Sequence, residues 1–201
     1  DFDECMQSIW VNQSIKPDEM VLVKDGILTP SLDEIIDKWR KTLGTLLKVI
    51  ALPQNVGLGN ALNEGLKNCS YEWVFRMDTD DICVEDRFEK QLAYIDSHPE
   101  IVLLGGQIGE FNTTPNQVTA KRFVPITQQD IILFAQKRSP FNHPTIAYKK
   151  SIIEKLGGYQ HHLLMEDYNL WIRILAHEYE VANLPNTLLY MRTNGMHGRR
   201  R

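Results

Sequence analysis

Three carboxylates stand within four residues at Asp78-Thr79-Asp80-Asp81, directly after the apolar run 73–77. Strand alternation sends Asp78 and Asp80 to one side and Asp81 to the other. Carboxylates this close repel and need a counter-charge to stay ionised. Mg2+ or Mn2+ supplies one, commonly through one or two carboxylates together with substrate phosphates. A solvated acidic turn is the plain alternative. The strand-end placement favours the metal–phosphate reading, because ligands on α/β sheets bind beyond the carboxyl ends of strands. An EF-hand loop counted from Asp78 would need Ile82 as a ligand and Cys83 in place of the turn glycine, so the calcium-loop reading is rejected.

Two more stretches carry chemistry. Glu166-Asp167 opens a well-patterned helix, where the helix dipole stabilises anions and an ordinary cap is one reading. The other is a general base held on a rigid element, able to take a proton from a hydroxyl. Asn55, Gly57 and Gly59 form a glycine turn ahead of a helix, suited either to a tight strand-to-helix connection or to contact with a nucleotide base or ribose. Leu62 stands where a G-x-G-x-x-G fingerprint needs its third glycine, which weakens a nicotinamide reading. No P-loop and no D-x-D-x-T phosphatase pattern is present. His143, in a polar turn before Pro144, reads most simply as a hydrogen-bonded structural residue. Arg192 and His197 lie in a late polar segment, and either suits a phosphate.

The elements that must position these residues follow from hydrophobic periodicity. Phe2, Cys5, Met6, Ile9 and Trp10 predict an opening amphipathic helix. Runs 20–23, 46–52 and 73–77 predict strands, with helices from Pro30 through Trp39 and over 61–67 between them. Ser31 with Glu34 forms a capping-box pattern. This β-α-β-α-β order predicts a parallel sheet flanked by helices, with Asp25 and the 78–81 cluster at strand exits on one edge. Further on, helices are expected over 87–97, 128–136, 151–156 and 167–177. Strands are expected over 101–111, 118–124, 146–149, 179–184 and 187–191.

The 201 residues are 43% hydrophobic and 24% charged, which suits one globular domain and excludes general disorder. A net charge of −4 argues against a nucleic-acid binder. Three cysteines without a C-x-x-C pair suggest neither a zinc knuckle nor a disulfide framework, and free thiols fit a reducing cytosol. No apolar run is long enough to cross a bilayer, and no signal peptide opens the chain. A start without Met and an end on Arg199, Arg200 and Arg201 suggest a fragment cut at both ends.

In order and spacing the motifs resemble the family-2 inverting glycosyltransferases of GT-A fold, particularly bacterial enzymes of surface-polysaccharide assembly. The resemblance rests on Asp25, the Asn55–Gly57 turn, Asn63 and Asp78-Thr-Asp80-Asp81. It continues through His143-Pro, Gly157-Gly158-Tyr159, Glu166-Asp167-Tyr168-Asn-Leu-Trp171-Ile-Arg173 and Tyr190-Met-Arg192. It implies an α/β GT-A domain over 1–201, with a nucleotide-binding half over 1–81 and an acceptor-binding half over 82–201. It also implies a first strand ahead of the opening helix, absent here, and a C-terminal continuation that contacts acceptor or membrane.

By the same resemblance Asp25, Asn55, Gly57, Asp78 and Arg192 contact a UDP-sugar donor, while Asp78 and Asp80 hold Mn2+ or Mg2+. Asp167 is the catalytic base, and Glu166, Trp171, His143 and Asp81 fall beside the acceptor. The implied acceptor is a polyprenyl-diphosphate-linked saccharide at the cytoplasmic face of the membrane. A nucleotidyltransferase that makes sugar nucleotides, or a non-catalytic nucleotide- or sugar-binding module, are the competing readings. The Glu166-Asp167 helix start argues against the first of these.

Overall fold

The opening segment folds as α1 (Phe2–Met6), which runs on into a wider π turn over Gln7–Val11 and buries Phe2, Cys5 and Met6. The computed structural model describes residues 1–193, so His197 and the 199–201 arginines lie outside the described residues. Two compact units share the chain. The first takes Asp1–Lys16, Phe75–Ala147 and the chain from Tyr179 onward; the second takes Pro17–Val74 and Tyr148–Glu178.

In the second unit, β1 (Met20–Lys24) and β2 (Leu47–Ala51) pair in parallel, from Met20 beside Leu47 to Lys24 beside Ala51. Parallel pairing requires a crossover, supplied by α2 (Pro30–Leu43), which buries Ile36, Trp39 and Leu43. The expected capping box does not form. Thr29 is the N-cap residue with an extended backbone, because Pro30 takes the first helical position and sets the entry one residue earlier. After β2 the chain turns at Asn55–Gly57 into α3 (Leu58–Asn68). Later come α6 (Lys150–Lys155) and α7 (Glu166–Ala176).

Helix α7 buries Leu170, Trp171 and Ile174 completely, roughly 1.5–3 kcal/mol each from area removed from water. Asn63 of α3 grips the backbone of Tyr159 twice. Its Nδ2 donates to the Tyr159 carbonyl and its Oδ1 accepts from the Tyr159 N–H, both at 2.8 Å. Glu19 ion-pairs with Lys48 and accepts from the N–H and hydroxyl of Ser70, each at 2.8 Å.

The first unit is built on β5 (Leu103–Phe111), with Leu103, Leu104, Ile108 and Phe111 wholly buried. Five strands run in the order β3 (Trp73–Phe75), β7 (Ala147–Lys149), β5, β8 (Val181–Arg192), β4 (Ile82–Cys83). A sixth, β6 (Val118–Arg122), lies antiparallel on β5. Thus β3 joins this sheet rather than extending the β1–β2 pair. The strands expected over 179–184 and 187–191 are one strand, β8, parallel to β5. Its register slips between Gly105 and Gln107, where Gly105 faces Asn183 and Gln107 faces Thr187. The irregularity spans Pro185, which has no N–H to give a ladder.

Helix α4 (Arg87–Ser97) is tied down by two wholly buried polar residues. Arg87 donates to the Arg76 carbonyl at 2.8 Å and to Gln91 at 3.0 Å; Gln91 donates to the Thr145 carbonyl at 2.9 Å. Helix α5 (Gln128–Ala135) begins at Thr127, whose hydroxyl accepts from the Asp130 N–H, and packs against β8 through buried Ile131 and Ala135.

Candidate functional site

In the first unit, the three carboxylates after β3 have three different environments. Asp78 is gripped by Arg76, whose two terminal nitrogens reach its oxygens at 2.8 and 2.5 Å. A metal is the counter-charge that the residue pattern leads one to expect here. The fold supplies a buried guanidinium, itself positioned because Arg87 holds the carbonyl of residue 76. A lone Arg inside the apolar run Trp73–Met77 was the available signal for it.

Asp81 is 1% exposed. One oxygen accepts from the Arg192 N–H at 3.0 Å, and the other is buried without a partner among the described residues. Burial raises its pKa to about 7; the Arg192 hydrogen bond opposes this, and the charges of Asp78 and Asp80 add to it. The carboxylate of Asp80, by contrast, enters no hydrogen bond or ion pair among the described residues, while its carbonyl accepts from Arg192 Nε at 3.2 Å.

The side chain of Arg192 is therefore occupied inside the fold. Besides the Asp80 carbonyl it pairs with Glu4 at 2.8 Å and Asp1 at 3.3 Å, and it lies over the Phe111 ring at 4.8 Å. It clamps the turn that carries Asp80 and Asp81. His143 starts a 3-10 turn over His143–Thr145 and is half-buried. Burial, with the Arg76 charge, holds its pKa well below the usual value, so the imidazole is neutral at pH 7.

The described residues hold no group of three His, Cys, Asp or Glu side chains able to enclose a metal. That does not oppose Mg2+ or Mn2+, which take one or two carboxylates and complete their shell with phosphate oxygens and water. Asp80, with its uncommitted carboxylate, and the 40% exposed Asp78 fit such a cation.

In the second unit the structure brings Asp25, Asn55 and Gly57 together. Asp25 Oδ1 accepts from the Val56 N–H at 2.7 Å, and its carbonyl accepts from Asn55 Nδ2 at 3.4 Å. Asn55 Oδ1 accepts from the Gly57 N–H at 3.2 Å. Gly26 makes the close approach feasible. Its φ is +99°, and a Cβ there would lie 2.9 Å from the Asn55 nitrogen.

The first turn of α3 packs on the start of α7, where Glu166 Cγ lies 3.3 Å from the position a Gly59 Cβ would take. Glu166 and Asp167 are both half-buried in the first turn of α7, where the N-terminal dipole favours anions. Trp171, expected beside the acceptor, is 0% exposed and is a core residue that anchors the helix. Asp81, given the same expectation, is buried in the carboxylate turn. A cleft of about 610 Å³ in this unit is lined by Val56, Asn60, Asn63, Glu64, Lys67 and Glu154, with Lys67 paired to Glu64 at 2.6 Å.

This α/β architecture is that of the GT-A glycosyltransferases. A mannosyltransferase of Pyrobaculum calidifontis in complex with GDP-Man and Mn2+ superposes with a TM-score of 0.72 at 17% identity, covering 96% of this chain and 53% of that one. Residues 1–349 of Staphylococcus aureus TarS with UDP-GlcNAc give 0.73 at 21%, covering 96% and 55%. The chain thus spans about half the length of these two.

Residues 2–157 match the profile of Glycosyl transferase family 2, and the chain belongs to that family. It is 54% identical to an uncharacterized glycosyltransferase of Haemophilus influenzae over 98% of this chain and 73% of that protein. Identity is 44% to the amylovoran biosynthesis glycosyltransferase AmsE of Erwinia amylovora, over 94% and 70%. It is 37% to the UDP-Gal:alpha-D-GlcNAc-diphosphoundecaprenol beta-1,3-galactosyltransferase of Escherichia coli, over 98% and 70%.

Proposed function

We propose that the protein transfers a hexose or N-acetylhexosamine from a UDP-sugar to a hydroxyl of a saccharide carried on polyprenyl diphosphate, in bacterial surface-polysaccharide synthesis. Asp167 takes the proton of the attacking hydroxyl as its oxygen bonds to the anomeric carbon. The bond from that carbon to the diphosphate oxygen breaks, UDP leaves, and the configuration inverts. Asp25 and the Asn55–Gly57 turn take the uridine. Asp80, with Asp78 oriented by Arg76, holds a divalent cation that, when bound, offsets the negative charge on the departing diphosphate. Glu166 and His143 are the acceptor-side candidates. Arg192 and Asp81 are assigned to positioning the Asp80 turn.

The observation that carries this reading lies inside the second unit. The turn that joins Asp25 to Asn55 and Gly57 leads directly into a helix whose first turn touches Glu166, next to Asp167. The donor and acceptor named for the Escherichia coli relative, and the UDP-GlcNAc of TarS, support the substrate classes. The Mn2+ of the Pyrobaculum calidifontis enzyme supports the cation.

The test is to incubate the protein with a panel of UDP-sugars, an undecaprenyl-diphosphate GlcNAc acceptor and Mn2+, and to measure UDP. Acceptor-dependent UDP release that stops on chelation is expected. Pyrophosphate release from UTP and a sugar phosphate, without any UDP release, would replace this reading with a nucleotidyltransferase.

A further inference from the structure

Helix α5 is apolar on two sides. Ile131 and Ala135 face the core, yet Ile132 is 44% and Leu133 63% exposed. A helix with apolar residues on both sides needs a second apolar surface to cover the outer one. The chain just before α5 adds further exposed apolar side chains. Phe123 is 68% and Ile126 44% exposed just before the helix. Asn183 Nδ2 donates to the carbonyls of both Pro125 (2.7 Å) and Pro140 (3.0 Å), which fixes the segment around 123–126 beside the segment that follows the helix. Arg138 closes the set, with its guanidinium 5.3 Å from the Phe134 ring centre.

Charge separates along this surface. Lys137 and Arg138, at the C-terminal end of α5, are exposed, as is Lys121 on β6. Arg122 is already paired with Glu110. The nearby acids, Asp130 in the first turn and Glu180 beside Gln128, sit at the N-terminal end of the helix. The result is a set of exposed Phe, Ile and Leu side chains with three exposed cations, Lys121, Lys137 and Arg138, within a few residues of them along the chain, on a protein whose net charge is −4. Apolar side chains flanked by Lys and Arg complement an anionic bilayer surface: the first enter the headgroup boundary and the second meet its phosphates.

We infer that the Phe123–Arg138 surface docks the protein on anionic phospholipid membranes. This goes beyond the transferase reading and does not depend on it.

Flotation with vesicles tests the inference. The protein should float with phosphatidylcholine–phosphatidylglycerol vesicles at 0.1 M salt, weakly with phosphatidylcholine alone, and less at 0.5 M salt. Each cation removed should weaken the partition about fivefold, so Lys121→Gln/Lys137→Gln/Arg138→Gln together should cost on the order of 100-fold. Phe123→Ser/Leu133→Ser should cost at least about tenfold by loss of inserted apolar area. Far-UV circular dichroism and unchanged melting confirm that each variant is folded.

Lack of flotation by the parent protein would overturn the inference. So would flotation that neither variant set weakens. Light scattering that shows a dimer dissolved by Phe123→Ser/Leu133→Ser would assign the surface to a second copy instead. UDP release by the same preparations scores the transferase reading separately.

Discussion

The carboxylates of the two units are held differently. In the first unit Asp78 is fastened by the guanidinium of Arg76 and the turn that carries Asp80 by the Arg192 side chain, while Asp81 takes the Arg192 backbone N–H. In the second unit Asp25 is held by a backbone N–H, and Glu166 and Asp167 rest in the first turn of a helix. A guanidinium pair fixes the orientation of Asp78, whereas a helix N-terminus stabilises the charge of the acids in its first turn.

The largest expected effect breaks the second side of this comparison. Asp167→Asn should lower turnover by roughly 10²–10⁴, the span of a lost general base, with UDP-sugar affinity by calorimetry unchanged. Full activity in that variant removes Asp167 from the mechanism. On the first side, Asp80→Ala should weaken Mn2+-dependent UDP binding by roughly 100-fold, while binding under chelation stays the same. Arg76→Met separates fastening from chemistry. Asp78 can rehydrate at its half-exposed site, so urea unfolding should show a loss of about 2–3 kcal/mol.

Gly26→Ala should cost about 1–3 kcal/mol by placing a Cβ against Asn55 at a positive φ, and it should weaken UDP binding through Asp25. The smallest effect is at Glu19. Burial raises its pKa, but the bonds from Lys48 and Ser70 outweigh that and leave it below the ordinary 4.5. Its contribution is therefore present above that value and fades as pH falls through the lowered one. Glu19→Gln should cost about 1 kcal/mol in thermal unfolding at pH 7, and the gap should close as pH falls through the lowered pKa.

What the sequence disclosed was local. A carboxylate cluster after an apolar run, a glycine turn before a helix and an acid pair at a helix start are all spelled by neighbouring residues, and each stands where expected. What it withheld was tertiary. Arg76 is an unremarkable Arg in an apolar stretch until Arg87, eleven residues on, fixes its carbonyl. Leu170, Trp171 and Ile174 recur at the three- and four-residue spacing of a core-facing helix stripe, and only the resemblance placed Trp171 beside the acceptor. Pro185 and Asn186 read as a break between strands, whereas a register slip against β5 carries β8 through them. The partition of the chain into two units, with the Phe75–Ala147 part of the first inserted between the two segments of the second, leaves no mark on composition.

That insertion gives Asn63 a particular importance. By gripping both the N–H and the C=O of Tyr159, it fastens together two stretches 96 positions apart. The polypeptide between them leaves the second unit and returns to a latch that holds its own ends in place. Additions or deletions in the outlying loops of that excursion, such as 112–117, would leave the latch and the turn it steadies untouched. Length changes in such loops can therefore be absorbed without rebuilding the part that carries Glu166 and Asp167.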